Sequence, residues 1–361
     1  MALEPNSPAP GAPGPEQIKK PGLANQLIPY IITAAIFIYL YLTIDFKKMF
    51  QLLETANLAW FIPATILMTV TFALVDSFSF GQAYSWFNAQ LTAFEKIEMR
   101  TAPYVIQVTL APLAEVLFPL YLWRRKGVSP AHAVSSSIWT VVNDFASVFT
   151  ALTLAVIYNL ETGLVPAIGI PWLVVMIVFW VVYLGNLAFW HSGLQPKVAA
   201  WIERSQQTGV TQQGFRRVVL LVAGTLIQLL RTFSIARWYH YLAVYFIRLF
   251  IVVAAVISNY AALRALGLHP PLPLVLIAIP IIFYAHFLPI NVGGYGGPQA
   301  LAILFFAEIG KCGSKEQVAA YSFLWSTGFL VGRFLFGAVF IRGFMKKTFP
   351  EGFRNWRRQN Q

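Results

Sequence analysis

Charge is what this sequence has least of. Only 11% of its 361 residues are Asp, Glu, Lys or Arg, against roughly 25% in a soluble domain, which excludes a chain that folds as an ordinary soluble globule. Cysteine is nearly absent too. Cys312 stands alone, so no intrachain disulfide and no thiolate metal cluster can form, and its thiol reads as packing rather than chemistry. Carboxylates are the scarcer sign, 14 against 26 Lys and Arg, for a net charge of +12. The basic excess falls in short clusters between apolar runs, as topology signals and anionic-lipid contacts do, and not as a nucleic-acid footprint. The five histidines show no metal-ligand spacing, and no Asp-Asp pair, His-rich motif or nucleotide loop appears. No metal, no cofactor, no nucleic-acid partner and no catalytic residue are therefore expected.

What is there in excess is apolar sequence, 58% of the chain. Charge-free runs of 24 residues (21–44), 21 residues (55–75) and 35 residues (162–196) each reach the roughly 20 residues that span a bilayer. The expected fold is an all-α polytopic membrane protein with about 7–8 membrane helices plus broken or re-entrant segments. Residues 1–22, with six prolines and three glycines, read as a disordered leader; residues 23–345 form one transmembrane domain, and 346–361 a basic tail. Spans are expected at about 57–80, 168–190, 239–263, 272–288 and 317–341, and a helix opened by Ser129-Pro130 at about 130–158. Asp76 falls at the end of one span, either at the interface or inside. Glu95, Lys96, Glu98 and Arg100 read as a polar loop or short surface helix, and 218–230 as an interfacial segment. Lys19-Lys20 and the tail lysines and arginines place both termini in the cytoplasm of an inner-membrane protein.

One stretch breaks the apolar pattern. Residues 288–299 put four glycines and two prolines inside a 43-residue run, 265–307, that has no Asp, Glu, Lys or Arg. Gly293, Gly294, Gly296 and Gly297 favour positive φ and Pro298 cannot donate, so a helix is not expected to pass through. The stretch is either a surface loop between two spans or a broken helix beside a site, since lipid cannot satisfy freed backbone groups. A similar plan precedes it in the chain. Pro112, Glu115, Arg125-Lys126-Gly127 and Ser129 match Pro289, Gln299, Lys311-Cys312-Gly313 and Ser314 in order and spacing. Ser314 and Gln317 also fit a capping box. Two such halves, about 57–190 and 216–342, suggest an internal inverted repeat with a binding site between them.

Ionisable residues inside spans are candidates for function. Glu115 leads, beside Pro112. Asp144 and Arg333 stand one per half and are placed to pair with each other or to meet substrate; Arg248 either snorkels or meets a head group. Arg124 and Arg125 read as topology signals or as a lipid-gathering pair. The second-half candidates are Pro289, Asn291, Gly293, Gly294, Gly296, Gly297 and Gln299.

The Pro-x-x-x-Gly-Gly-x-Gly pattern at 289–296, Gln299, the turn at 311–314 and the block Pro112, Glu115, Arg124-Arg125, Gly127-Val-Ser129 resemble the membrane region of lysylphosphatidylglycerol synthases. They resemble equally the stand-alone flippase-like proteins built on that region, hopanoid-associated ones included. The likeness extends over about 25–345. It implies a lipid flippase-like function on an anionic phospholipid or hopanoid-type lipid, with lipid-synthesis enzymes as partners. In that family a separate soluble domain performs aminoacyl transfer, and no such domain is expected here. Two departures stand out: relatives carry glutamate where this chain has Gln299, and the glycines before the first-half glutamate are here Leu113 and Ala114. An integral-membrane transferase and a scaffold for lipid synthesis are the alternative readings.

Overall fold

The computed structural model describes residues 34–107, 111–194, 229–286 and 294–350, with positions 197, 200, 204 and 226 between them; at 111–116 only the backbone is described. Most of the interfacial segment expected at 218–230, the leader and most of the tail lie outside the described residues. Those described are all-α, as composition requires.

In chain order the helices are α1 (Ala34–Thr43), α2 (Phe46–Glu54), α3 (Leu58–Phe87), α4 (Ala93–Thr101), α5 (Tyr104–Gln107), α6 (Ala111–Lys126), α7 (Pro130–Thr162), α8 (Ile170–His191), α9 (Arg231–Ile235), α10 (Trp238–Ala265), α11 (Leu272–Ala285), α12 (Gly297–Ala302) and α13 (Lys315–Thr348). From α12 the chain continues as a π-helical turn, Ile303–Ile309. Five of these, α3, α7, α8, α10 and α13, are long and apolar enough to cross a membrane. The remaining apolar helices are shorter, which the expected 7–8 spans did not separate from full crossings.

Local chemistry sets the ends of these helices. Asn57 caps α3 by accepting from the Ala59 N–H at 3.1 Å, and Ser129 caps α7 by accepting from His132 at 3.3 Å with Pro130 behind it. Gly163, at φ +64°, closes α7 in the left-handed conformation that glycine adopts without a Cβ clash. Ser314 caps α13 through the Gln317 N–H at 3.1 Å, but the Gln317 side chain does not complete the capping box. It donates instead to the Leu266 carbonyl at 2.7 Å, tying α13 to the end of α10, because that otherwise orphaned helix-end carbonyl is within reach.

Three long helices pack closely through small residues. Cβ atoms added at Gly328 and Gly332 of α13 would come within 3.0 Å of Phe61 and Thr65 and within 2.4 Å of Thr69, so α3 and α13 run parallel with their backbones nearly touching, as small-residue seams allow in lipid. α10 runs the other way, its Ala265 carbonyl accepting from Asn57 N–H at 2.9 Å. Helix α8 is the outlier, with only Met176 and Trp190 buried.

The segments expected to be broken form two hairpins that enter the bundle from opposite ends. The first, α4 to α6, is closed at its mouth by Lys126 Nζ on Glu95 Oε1 at 2.9 Å, and descends until Arg100 meets Asp76 in the middle of α3. The second, α11 to the π turn, has its mouth where Gly310 abuts Leu274 and its inner end where His286 and Gln299 both reach Ser326 of α13. Helix α11 has 14 residues, about 21 Å at 1.5 Å each, short of the ~30 Å hydrocarbon thickness. So the span expected at 272–288 stops part-way. The surface-helix expectation for 95–100 is also corrected: Glu98 and Arg100 are buried, because α4 turns inward under α3.

Candidate functional site

Four long helices each carry one ionisable residue near mid-length: Asp76 on α3, Asp144 on α7, Arg248 on α10 and Arg333 on α13. The two carboxylates come from the first half of the chain and the two guanidiniums from the second. All four are buried, and in low dielectric such groups must find partners.

Arg248 is the hub. Its Nε donates to Asp144 Oδ1 at 2.6 Å and its Nη2 to Asp144 Oδ2, a two-pronged grip that fits guanidinium to carboxylate. Its Nη1 donates to Asp76 Oδ1 at 2.8 Å and to Ser79 Oγ at 3.2 Å. Asp76 also accepts from Arg100 Nε at 2.5 Å and from the Tyr104 hydroxyl at 3.0 Å. The Arg100 guanidinium is held between the rings of Phe80 and Phe118, 3.9 and 4.2 Å from their centroids, where the ring quadrupoles favour a cation. Arg333 does not pair with Asp144; its Nη2 donates to Gln107 and its guanidinium lies over the Tyr104 ring at 4.7 Å. The parallel run of α3 and α13 brings Arg333 level with Phe72 and Tyr104, which with Gln107 line the cavity beside the cluster.

Beside this cluster lies a cavity of about 470 Å³, whose wall holds Asp76, Arg100, Asp144 and Arg248 on one side and Phe72, Phe149, Leu152, Pro280 and Ile281 on others. Among the described residues its charges balance, so it offers donors and acceptors together inside an apolar shell. Val141 and Phe145, on the α7 wall, are 40% and 42% exposed, which marks where the cavity meets the outer surface between α7 and α11.

The second hairpin borders the cavity through Ala285 and Leu301, on either side of its break. Gly294 and Gly296 have φ +84° and +111°, as the glycine-rich reading required, whereas Gly297 begins α12. Gln299 is fully buried. Its Oε1 accepts from the Gly296 N–H at 2.7 Å and its Nε2 donates to Ser326 Oγ at 3.1 Å. The Ile282 carbonyl beside His286 Nδ1 can only accept, so that nitrogen carries the proton and, in the neutral ring, Nε2 accepts from the Ser326 hydroxyl at 2.9 Å. Among the described residues, then, a Gln, Ser and His chain and not a carboxylate ties the two sides of the hairpin's inner end to α13.

Sequence reasoning and structure part company at several positions. Asp144, Arg248, Gly294, Gly296, Gly297 and Gln299 stand in or next to the site. Arg124 and Arg125 are exposed at the outer end of α6, away from the cavity. Pro112 and Glu115 fall on α6, but their side chains, like Pro289, Asn291 and Gly293 altogether, lie outside the described residues. Asp76, Arg100, Tyr104, Gln107 and Tyr284 were not anticipated. A signal existed for Asp76, the one charged residue between Glu54 and Glu95. None existed for Arg100, whose neighbours Glu95, Lys96 and Glu98 make its helix read as surface. Cys312 half-buries in the turn before α13, and burial pushes its thiol up, away from the reactive thiolate.

With this geometry in hand, residues 26–329 match the family model described as the lysylphosphatidylglycerol synthase TM region. No curated protein and no solved structure matches the chain.

Proposed function

The chain belongs to the family of the lysylphosphatidylglycerol synthase TM region, an integral membrane family tied to lipids, and from that premise we propose that it translocates a lipid or lipid-linked molecule across the bilayer without covalent chemistry. One observation carries this reading: a cavity with buried Asp and Arg side chains at mid-depth, set between two broken hairpins that enter from opposite ends. A polar head group crossing hydrocarbon loses its water, and the barrier falls only if the protein supplies replacement donors and acceptors there. Arg248, Arg100 and the two aspartates are placed to exchange their mutual bonds for bonds to a phosphate or ammonium group. The opening at Val141 and Phe145 lets acyl chains stay in lipid while the head group enters.

The opposed hairpins support reading the halves as an inverted pair, each able to open towards its own leaflet. Net charge supports the orientation with the ends of α6 and α13 in the cytoplasm. Among the described residues, Lys96, Arg124, Arg125, Lys126, Arg231, Arg237, Arg342, Lys346 and Lys347 gather at that end against Glu95 and Glu98, while at the other Lys47, Lys48, Arg264, Lys311 and Lys315 are equalled in number by Asp45, Glu54, Glu161, Glu308 and Glu316.

The test is reconstitution into phosphatidylglycerol–phosphatidylcholine vesicles holding a head-group-labelled phospholipid, followed by bleaching of the outer leaflet with an impermeant reductant. Wild-type protein should expose inner-leaflet label faster than empty vesicles do, and Arg333→Gln and Gly294→Leu should slow that exposure while still eluting as folded protein. Wild-type rates in both variants, or no rate above empty vesicles, would overturn the proposal.

A further inference from the structure

A second site lies far from the charge cluster, at the end of the bundle opposite the basic one. There α3 begins and α10 ends, and a groove of about 710 Å³ opens between them. Its floor is made by Pro63, Ala64 and Ala261, small enough to leave a channel down the helix seam, and Leu67 and Ile257 extend it towards the membrane interior. At its outer end stand Trp60, Tyr260 and Arg264. Trp60 is 76% exposed and Tyr260 39%, and such rings settle at the head-group level of a bilayer. The Asn57 N–H to Ala265 carbonyl bond fixes Arg264 at that same level.

Arg264 is the feature that selects an occupant. Its side chain is exposed and makes no hydrogen bond or ion pair among the described residues, and no carboxylate lines the groove. Two other cations at this end are paired, Lys48 with Asp45 at 3.6 Å and Lys315 with Glu308 at 3.0 Å. An exposed guanidinium at the mouth of an apolar channel, framed by two interfacial aromatics, complements an anionic phosphate above an acyl chain.

We propose that this groove binds one glycerophospholipid of the leaflet at that end, its phosphate on Arg264 and one acyl chain lying along Ala64, Leu67, Ile257 and Ala261. The site is separate from the central cavity and stands whether or not that cavity translocates lipid. It would hold a lipid against α3 and α10, the two helices that carry Asp76 and Arg248.

Photolabelling tests it. The full chain in detergent micelles doped with phosphatidylglycerol bearing a diazirine on one acyl chain should be labelled on peptides covering 60–67 and 257–265. Arg264→Gln should lower that labelling about fivefold, the factor for losing one interfacial cation, and Arg264→Lys should keep most of it. Lys315→Gln, which removes a paired cation at the same end that does not line the groove, should leave it unchanged. Equal labelling in Arg264→Gln, label elsewhere only, or a groove closed by cross-linking to a second copy of the chain would overturn the proposal.

Discussion

Arg248 sits between two carboxylates, and replacing it leaves both without their shared partner. Breaking a buried pair costs about 3–5 kcal/mol because the remaining charge stays desolvated, whereas replacing the whole set by neutral groups costs far less. Arg248→Met alone should therefore lower the thermal unfolding midpoint in detergent strongly. Arg248→Met combined with Asp144→Asn, which leaves the Asp76–Arg100 pair intact, should recover most of that loss, while translocation stays abolished. Recovery of both stability and transport would mean the charges serve folding alone. The same balance explains why Asp76, Asp144 and Arg248 were legible as ionisable residues in apolar sequence while their pairing was not. Arg333 is on the correct element for a bond to Asp144, but the helix order puts Gln107 and Tyr104 in its reach instead.

At the scale of the element, the seam between α3 and α13 and the two hairpins decide the architecture. A side chain at Gly332 has nowhere to go, since even a Cβ would approach Thr69 Oγ1 to 2.4 Å. Gly332→Leu should separate the helices at a cost of about 1–3 kcal/mol, read as a lowered unfolding midpoint. Gly185 on α8 has open space around it, and Gly185→Leu should leave the midpoint nearly unchanged. The contrast separates close packing from a general dislike of bulk in lipid. The hairpin of α11 and α12 was visible as glycines and prolines in a charge-free run, because those residues act on backbone geometry locally. The hairpin of α4 to α6 was half hidden, since an inward-turning helix that carries Glu95, Lys96, Glu98 and Arg100 has the composition of a surface one.

For the whole molecule, charge asymmetry between the two ends fixes the expected orientation in the membrane. With Cys312→Ser as background, a cysteine at His269 should react with an impermeant maleimide added outside spheroplasts. One at Lys346 should react only after the membrane is permeabilised. Both positions are exposed in the structure, so accessibility differs by side and not by burial. The reverse pattern would turn the molecule over and exchange the leaflets that its two hairpins and its Arg264 groove face.

Composition and run length by themselves determined that this chain is an all-α membrane protein, because apolar length and the need to satisfy backbone groups in lipid leave no other fold class. Local rules likewise determined the Ser129 and Ser314 caps and the positive φ at Gly294 and Gly296. Only the tertiary structure decided that α11 stops at mid-depth, that α4 turns inward, and that Asp76, Arg100, Asp144 and Arg248 meet around one cavity. Those outcomes depend on which helices run parallel and at what level each charge finds a partner. Such pairings join residues up to 172 positions apart, as Arg248 and Asp76 are, and no window of sequence contains both.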